Sequence, residues 1–324
     1  MKAMVLEAAG QPLKPHEVPR PSAAPGQLLV KVEACGVCRT DLHLLDNELP
    51  DIPYPVIPGH QVVGRVMDAD GVTDRRVGVP WLGSTCGHCR FCDDERENLC
   101  DEAVFTGYTI DGGFAEYLVV DRQFAFPLDP DAPAESLAPL LCAGLIGYRS
   151  LRLAGSNIEK LGVFGFGAAG HLVTAAAIHL GQSVYAFTRP GDTATQAFAR
   201  ELGCTWAGDS TRDPGTELDA ALIFAPAGEL VPVALGRVRK GGRVVCGGIH
   251  MSDIPSFPYD ILWGERQILS VANLTRRDGD EFLQLAQAAG IQPQVTLYPL
   301  DRANQALDDL RHGRFDGAAV LHMG

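Results

Sequence analysis

Four cysteines in one short run, Cys86, Cys89, Cys92 and Cys100 in CGHCRFCDDERENLC, constrain this chain more than any other feature. The spacing C-x2-C-x2-C-x7-C lies in a charged, loop-like setting, and four thiolates complete the tetrahedron of a Zn²⁺ ion. With no open position, such an ion holds a loop in place and does no chemistry. Packing of the cysteines into an apolar core is the competing explanation. It would require Asp93, Asp94, Glu95, Arg96 and Glu97 to be buried with them.

The 324 residues, 46% of them hydrophobic, suffice for two domains with cores of their own. A formal net charge of -13 speaks against nucleic acid or an anionic membrane as partner, since either would repel it. No stretch reaches the roughly eighteen apolar residues of a membrane helix. The start, MKAMVLEAAG, lacks a long apolar signal core, so a cytoplasmic location is expected. In a reducing compartment the nine cysteines read as metal ligands or buried thiols rather than disulfides.

Residues 1–143 carry short β-rich runs such as LLVKVEA and FAEYLVV, broken by Pro and Gly clusters, and read as an irregular β-barrel. From 144 to 275, strands such as LGVFGF, SVYAFT, LDAALIFA and GGRVVCGGI alternate with amphipathic helices, the texture of a doubly wound parallel sheet. The tail, 276–324, with a helix in DEFLQLAQAAG and a closing strand in FDGAAVLHM, is expected to rejoin the first domain.

A second ligand set is dispersed: Cys38 in CGVCRTDLH, His60 in IPGHQ and Cys142 in APLLCAG. Singly, each also fits core packing or a surface position. Together, two thiolates and an imidazole leave a fourth corner open for a Lewis acid's substrate. In order, CGVCRTDLH, PGHQVVGRV, the four-cysteine run, GGFAEYLVV, APLLCAG and GFGAAG resemble the landmarks of zinc-containing medium-chain alcohol dehydrogenases over nearly the whole chain. The resemblance implies a GroES-like catalytic domain and a Rossmann coenzyme domain. It also implies a catalytic zinc on Cys38, His60 and Cys142, making two zinc ions per chain.

Further roles follow from the same resemblance. Asp41 matches the aspartate that holds the ligand imidazole, with an ordinary helix cap as the alternative. Gln61 stands where the family usually has glutamate. Thr40 and His43 match the hydroxyl and imidazole of a proton relay, although alone they fit a capping hydroxyl and a surface histidine. Arg39 matches a basic residue on the coenzyme pyrophosphate, a solvated arginine being the other reading. Trp81 resembles an aromatic wall of the substrate pocket, or else barrel core.

Gly165, Gly167 and Gly170 follow the strand LGVFGF and open the next helix, the context that gives G-x-G-x-x-G its meaning. The following strand should end in a carboxylate to grip a ribose 2′-hydroxyl, yet the slot holds Thr188 and then Arg189. A guanidinium suits a 2′-phosphate, so NADP(H) is favoured, with NAD(H) open because Asp192 is near. Backbone at Gly247 and Ile249 matches the strand beside the nicotinamide, plain strand core being the alternative. Cys35, Cys204 and Cys246 match no ligand position and are expected to be buried.

The expected activity is hydride transfer between a small alcohol, or its aldehyde or ketone, and NAD(P), by a homodimer or homotetramer. A polyol-type dehydrogenase is the runner-up, but such proteins commonly replace the ligand matching Cys142. Zinc-free reductases of the scaffold lack the cysteines. A non-catalytic zinc- and nucleotide-binding relative fits poorly beside a complete ligand set with Thr40 and His43.

Overall fold

The computed structural model describes residues 1–315 and 317–324. Two compact units emerge, one of Met1–Cys142, Thr275–Leu283 and Gln292–Gly324, the other of Ala143–Leu274 and Gln284–Ile291. The helix Arg276–Ala288, taken in the sequence as part of the tail, is shared between them.

In the first unit the long strand Gln27–Val37 is the spine. Its Leu28, Val30 and Val32 all point inward, as the two-residue strand period requires. Tyr117–Asp121 pairs antiparallel with its first half, Ala318–His322 with its second, and Val62–Asp68 runs along both. Val295–Pro299 flanks Ala318–His322, and Gly71–Val79 then Phe126–Pro127 extend the sheet beyond Val62–Asp68. A core of Leu6, Val30, Leu44, Val62, Val79 and Phe114 lies against it. The spine's end at Val37 turns directly into the short helix Arg39–Leu45, which places Cys38 at the junction.

The second unit is a six-stranded parallel sheet. Its order is Trp206–Asp209, Ser183–Thr188, Lys160–Phe164, Leu218–Ile223, Val238–Cys246 and Gln267–Ser270. The strand order reverses beside Lys160–Phe164, so the carboxyl end of that strand is a switch point, where such sheets bind ligands. Leu161, Val163, Val184, Ala186, Leu222 and Val245 bury one face of the strands, and Phe164, Tyr185, Phe187, Ala221, Ile223 and Val244 the other. Asp219 ties neighbouring central strands together near their amino ends: its carboxylate accepts from the amides of Glu159 and Lys160 and meets Arg239 at 2.6 Å.

Cys35 and Cys204 are buried, and burial pushes the Cys204 thiol up to about 12. Cys246 corrects the expectation. It ends its strand and is only half-buried. Among the described residues, no single helix is long and apolar enough to cross a membrane.

Candidate active site

Three segments of the first unit deliver the dispersed ligands. Cys38, in extended geometry, is the N-cap of Arg39–Leu45. His60 follows Gly59, whose φ of 98° and close neighbours Phe114 and Cys35 exclude any side chain. Cys142 stands between the 3-10 turn Ala138–Leu141 and the helix Ala143–Ala154. Cys38 Sγ is 3.1 Å from His60 Nε2 and 4.0 Å from Cys142 Sγ, and the three ligand atoms lie within 4.8 Å of one another. Sulfur at ~2.3 Å and nitrogen at ~2.0 Å from a tetrahedral ion stand roughly 3.5–3.8 Å apart, so one ion fits the set.

The electrostatics point the same way. The Cys142 thiol, the His60 imidazole and the Thr40 side chain hold Cys38 well below the ordinary thiol range, while the Cys38 sulfur and burial push Cys142 up. Two half-buried thiols side by side that cannot both ionise unaided are a site for a divalent cation.

Asp41 is not the helix N-cap, a place taken by Cys38. It is the third helical residue, and its Oδ2 accepts from the Cys38 amide at 2.9 Å while Cys38 Sγ accepts from the Thr40 amide at 3.3 Å, a capping box built around a cysteine. Its Oδ1 lies 3.3 Å from His60 Nδ1, within reach but misaligned for a hydrogen bond, with both atoms buried. Burial pushes Asp41 up against the pull of His60. Burial also opposes charge on His60, but the Cys38 sulfur and the Asp41 carboxylate prevail and push it up to about 10. The carboxylate thus takes the Nδ1 side of the ring and leaves Nε2 to the sulfurs. Gln61 is buried, and its amide lies over Gly36, where an added Cβ would come within 2.6 Å of Oε1.

Trp81 stands edge-on to His60 with centroids 4.8 Å apart and stacks on Phe105 and Tyr108, each at 5.6 Å. The same ring packs on the first unit's core, the alternative reading of this residue. Thr40 and His43 are half-buried and Arg39 is exposed, all three on the helix that Cys38 caps. His43 Nδ1 is paired with Glu48 Oε2, a partner missed in the sequence. The available signal was Asn47, a residue that tolerates the left-handed turn ending this helix.

Cys86, Cys89, Cys92 and Cys100 come together within 4.8 Å, with Cys86 and Cys89 Sγ at 3.9 and 3.6 Å from Cys92 Sγ. Burial would raise the Cys92 thiol, yet Thr85, the Gly87 amide and the neighbouring thiols outweigh it and bring it to about 7. Asp93, Asp94, Glu95 and Arg96 are exposed, but Glu97 is buried, against expectation. Its Oε1 accepts from the Arg276 amide at 2.8 Å and from the guanidinium at 3.3 Å, which ties the four-cysteine lobe to the helix Arg276–Ala288.

In the second unit, Gly165 turns the chain with φ 89°, and a Cβ there would meet Ala225 N at 2.6 Å. A Cβ at Gly170 would meet Gly165 O at 2.4 Å, so close strand-helix packing demands glycine. Gly167 caps the helix Ala168–His179 and faces open space, where an anion can approach the helix N-terminus. Thr188 departs from expectation. Its hydroxyl is buried, donates to backbone carbonyls and accepts from Gln196 at 3.0 Å, so it is already engaged. Arg189 beside it is exposed. Asp192 caps Thr193–Glu201 through the Thr195 amide, while Asp209, in register with Thr188 on the neighbouring strand, accepts from Gly191 and Gln196. Gly247 and Ile249 lie beyond the strand Val238–Cys246, and Ile249 is 60% exposed, which removes the strand-core alternative for it.

Residues 24–130 match the family described as alcohol dehydrogenase GroES-like domain. The chain is 44% identical over 316 residues to the Mycobacterium tuberculosis (strain CDC 1551 / Oshkosh) protein named "Probable alcohol dehydrogenase AdhA", covering 94% of this chain and 90% of that one. CAD from Helicobacter pylori complexed with NADP(H) is similar with a TM-score of 0.86 at 25% identity, over 99% and 97% of the two chains. A cobalt- and zinc-bound thermostable alcohol dehydrogenase from Pyrobaculum aerophilum reaches 0.87, also at 25%, over 100% and 99%.

Proposed function

The chain belongs to the zinc-containing medium-chain alcohol dehydrogenases, NAD(P)-dependent oxidoreductases, and from that premise we propose a role for each residue of the site. Cys38, His60 and Cys142 hold the catalytic zinc, and Cys86, Cys89, Cys92 and Cys100 a structural one. The observation that carries this reading is the convergence of two sulfurs and one imidazole, from positions far apart in sequence, within 4.8 Å. When bound, the catalytic zinc supplies a Lewis acid that polarises the oxygen of the alcohol or carbonyl. Asp41 keeps His60 turned with Nε2 toward the ion, and Trp81 closes one side of the pocket, which favours small or linear substrates. Bound NAD(P) would supply the hydride acceptor, and Thr40 and His43 would carry the hydroxyl proton toward solvent. Gly165, Gly167 and Gly170 would receive the pyrophosphate, and backbone at Gly247 and Ile249 would hold the carboxamide.

For the coenzyme we propose NADP(H). Thr188 contributes by putting no carboxylate in the slot, and the exposed Arg189 supplies the charge for a 2′-phosphate. Asp209 favours a second reading, NAD(H), because it sets a carboxylate beside Thr188 from the next strand. Steady-state kinetics with a small-alcohol series and both coenzymes distinguishes them. A charge-assisted contact contributes about 1.5–3 kcal/mol, so kcat/KM should favour NADP(H) by about tenfold or more, and Arg189→Ala should erase the difference. A preference for NAD(H) would transfer the role to Asp209. Assembly as a homodimer or homotetramer, as in the family, is part of the proposal.

A further inference from the structure

The helix Arg39–Leu45 ends in a specific way. Glu48 N–H donates to His43 O at 2.9 Å and Asn47 N–H to Leu44 O at 3.3 Å, the two bonds of a Schellman motif, with Asn47 in the left-handed region at φ 59°. That reversal folds the chain back over the last turn and lays the Glu48 carboxylate on His43 Nδ1. Tyr54 braces the turn by donating to Asn47 Oδ1 at 3.1 Å. Asp46 also feels the charge of His43, but its main partner lies elsewhere. Arg311, from the facing helix Ala303–His312, makes two bonds of 2.7 Å to Asp46, and Asp308 on that helix pairs with Arg314. Arg311 holds the Asp46 carboxyl below its usual range.

We propose that Glu48 is a positioning residue for proton transfer: its carboxylate fixes the His43 tautomer with the proton on Nδ1, so that the Nε2 lone pair is the acceptor for the proton arriving from Thr40. This rests on the relay reading given above. The proton is taken up at Nε2 and passed to water, no electrons move in this step, and the Glu48 contact holds the ring in register meanwhile. Half of the Glu48 side chain faces solvent, so the residue is replaceable without opening a core.

The test compares Glu48→Gln, Glu48→Asp and His43→Ala in the zinc-loaded enzyme, measuring alcohol oxidation at low buffer and with added imidazole. A glutamine side chain at this position offers either an oxygen or an NH₂ to Nδ1 and no longer selects a tautomer. Glu48→Gln should lower kcat by about fivefold to tenfold with KM values within about twofold, a modest part of the ~10²–10⁴ that acid-base transfer supplies. Imidazole should restore the rate, Glu48→Asp should recover at least part of it, and the double variant should be no slower than His43→Ala alone. A Glu48→Gln rate equal to the parent, or a deficit that imidazole leaves unchanged, overturns the proposal. If His43→Ala itself runs at the parental rate, the relay reading fails as well; if His43→Ala is slow and rescued while Glu48→Gln is normal, only the role of Glu48 fails.

Discussion

Cys142→Ser should lower alcohol oxidation by at least about a thousandfold and leave the protein folded, with zinc content falling from two ions per chain to one. A serine hydroxyl does not ionise near neutral pH, and in the proposed site it would replace one of three protein ligands beside a fourth corner kept for substrate. Cys38 and His60 would remain 3.1 Å apart with no second thiolate to balance a dication. The site lies at the start of the helix Ala143–Ala154 and replaces sulfur with a smaller atom, so the structural cost is small beside the catalytic one. Turnover and metal analysis on the same preparation check both halves of this outcome.

The second large effect concerns stability. Cys89→Ser should release the proposed structural zinc and loosen the loop from Cys86 to Cys100, because the three remaining thiolates, no longer bridged by an ion, repel once ionised. The loop's anchor then suffers, since Glu97 is buried against the amide and guanidinium of Arg276 and keeps its partner only while the lobe holds its shape. Leaving the buried Glu97 carboxylate without the half-exposed Arg276 costs on the order of 1–3 kcal/mol, and the unfolding midpoint should drop by roughly 2–10 °C. Activity per folded molecule at low temperature should change far less, as this cluster has no open coordination position. Calorimetry with activity assays on unheated samples separates the two.

The features most legible in the sequence were those whose physics is local or whose spacing is rigid. The four cysteines lie within fifteen consecutive residues, and the glycines at 165, 167 and 170 each meet a contact or a turn that excludes other residues, or stand open to a ligand. Cys38, His60 and Cys142 were legible only as an ordered set, since nothing in their separate neighbourhoods brings them together. What escaped depended on side-chain direction. Thr188 ends its strand facing inward onto Gln196, and a strand's alternation decides such a point only once its register is known. Glu97 stands in an acidic run that looks solvated, yet a 3-10 turn at Glu97–Leu99 rotates it onto Arg276, 179 residues away. Glu48 meets His43 only because Asn47 adopts a left-handed conformation. The helix Arg276–Ala288 shows one clear apolar period and yet serves two units, a division that periodicity does not record.

Anomalous diffraction at the zinc absorption edge, on crystals of the metal-loaded enzyme, addresses the central claim most directly. Two peaks per chain are expected, one inside the four-cysteine lobe and one at about 2.3 Å from the sulfurs of Cys38 and Cys142 and about 2.0–2.1 Å from His60 Nε2. A single peak confined to the lobe, with full zinc in the crystallisation solution and an active sample, would contradict it.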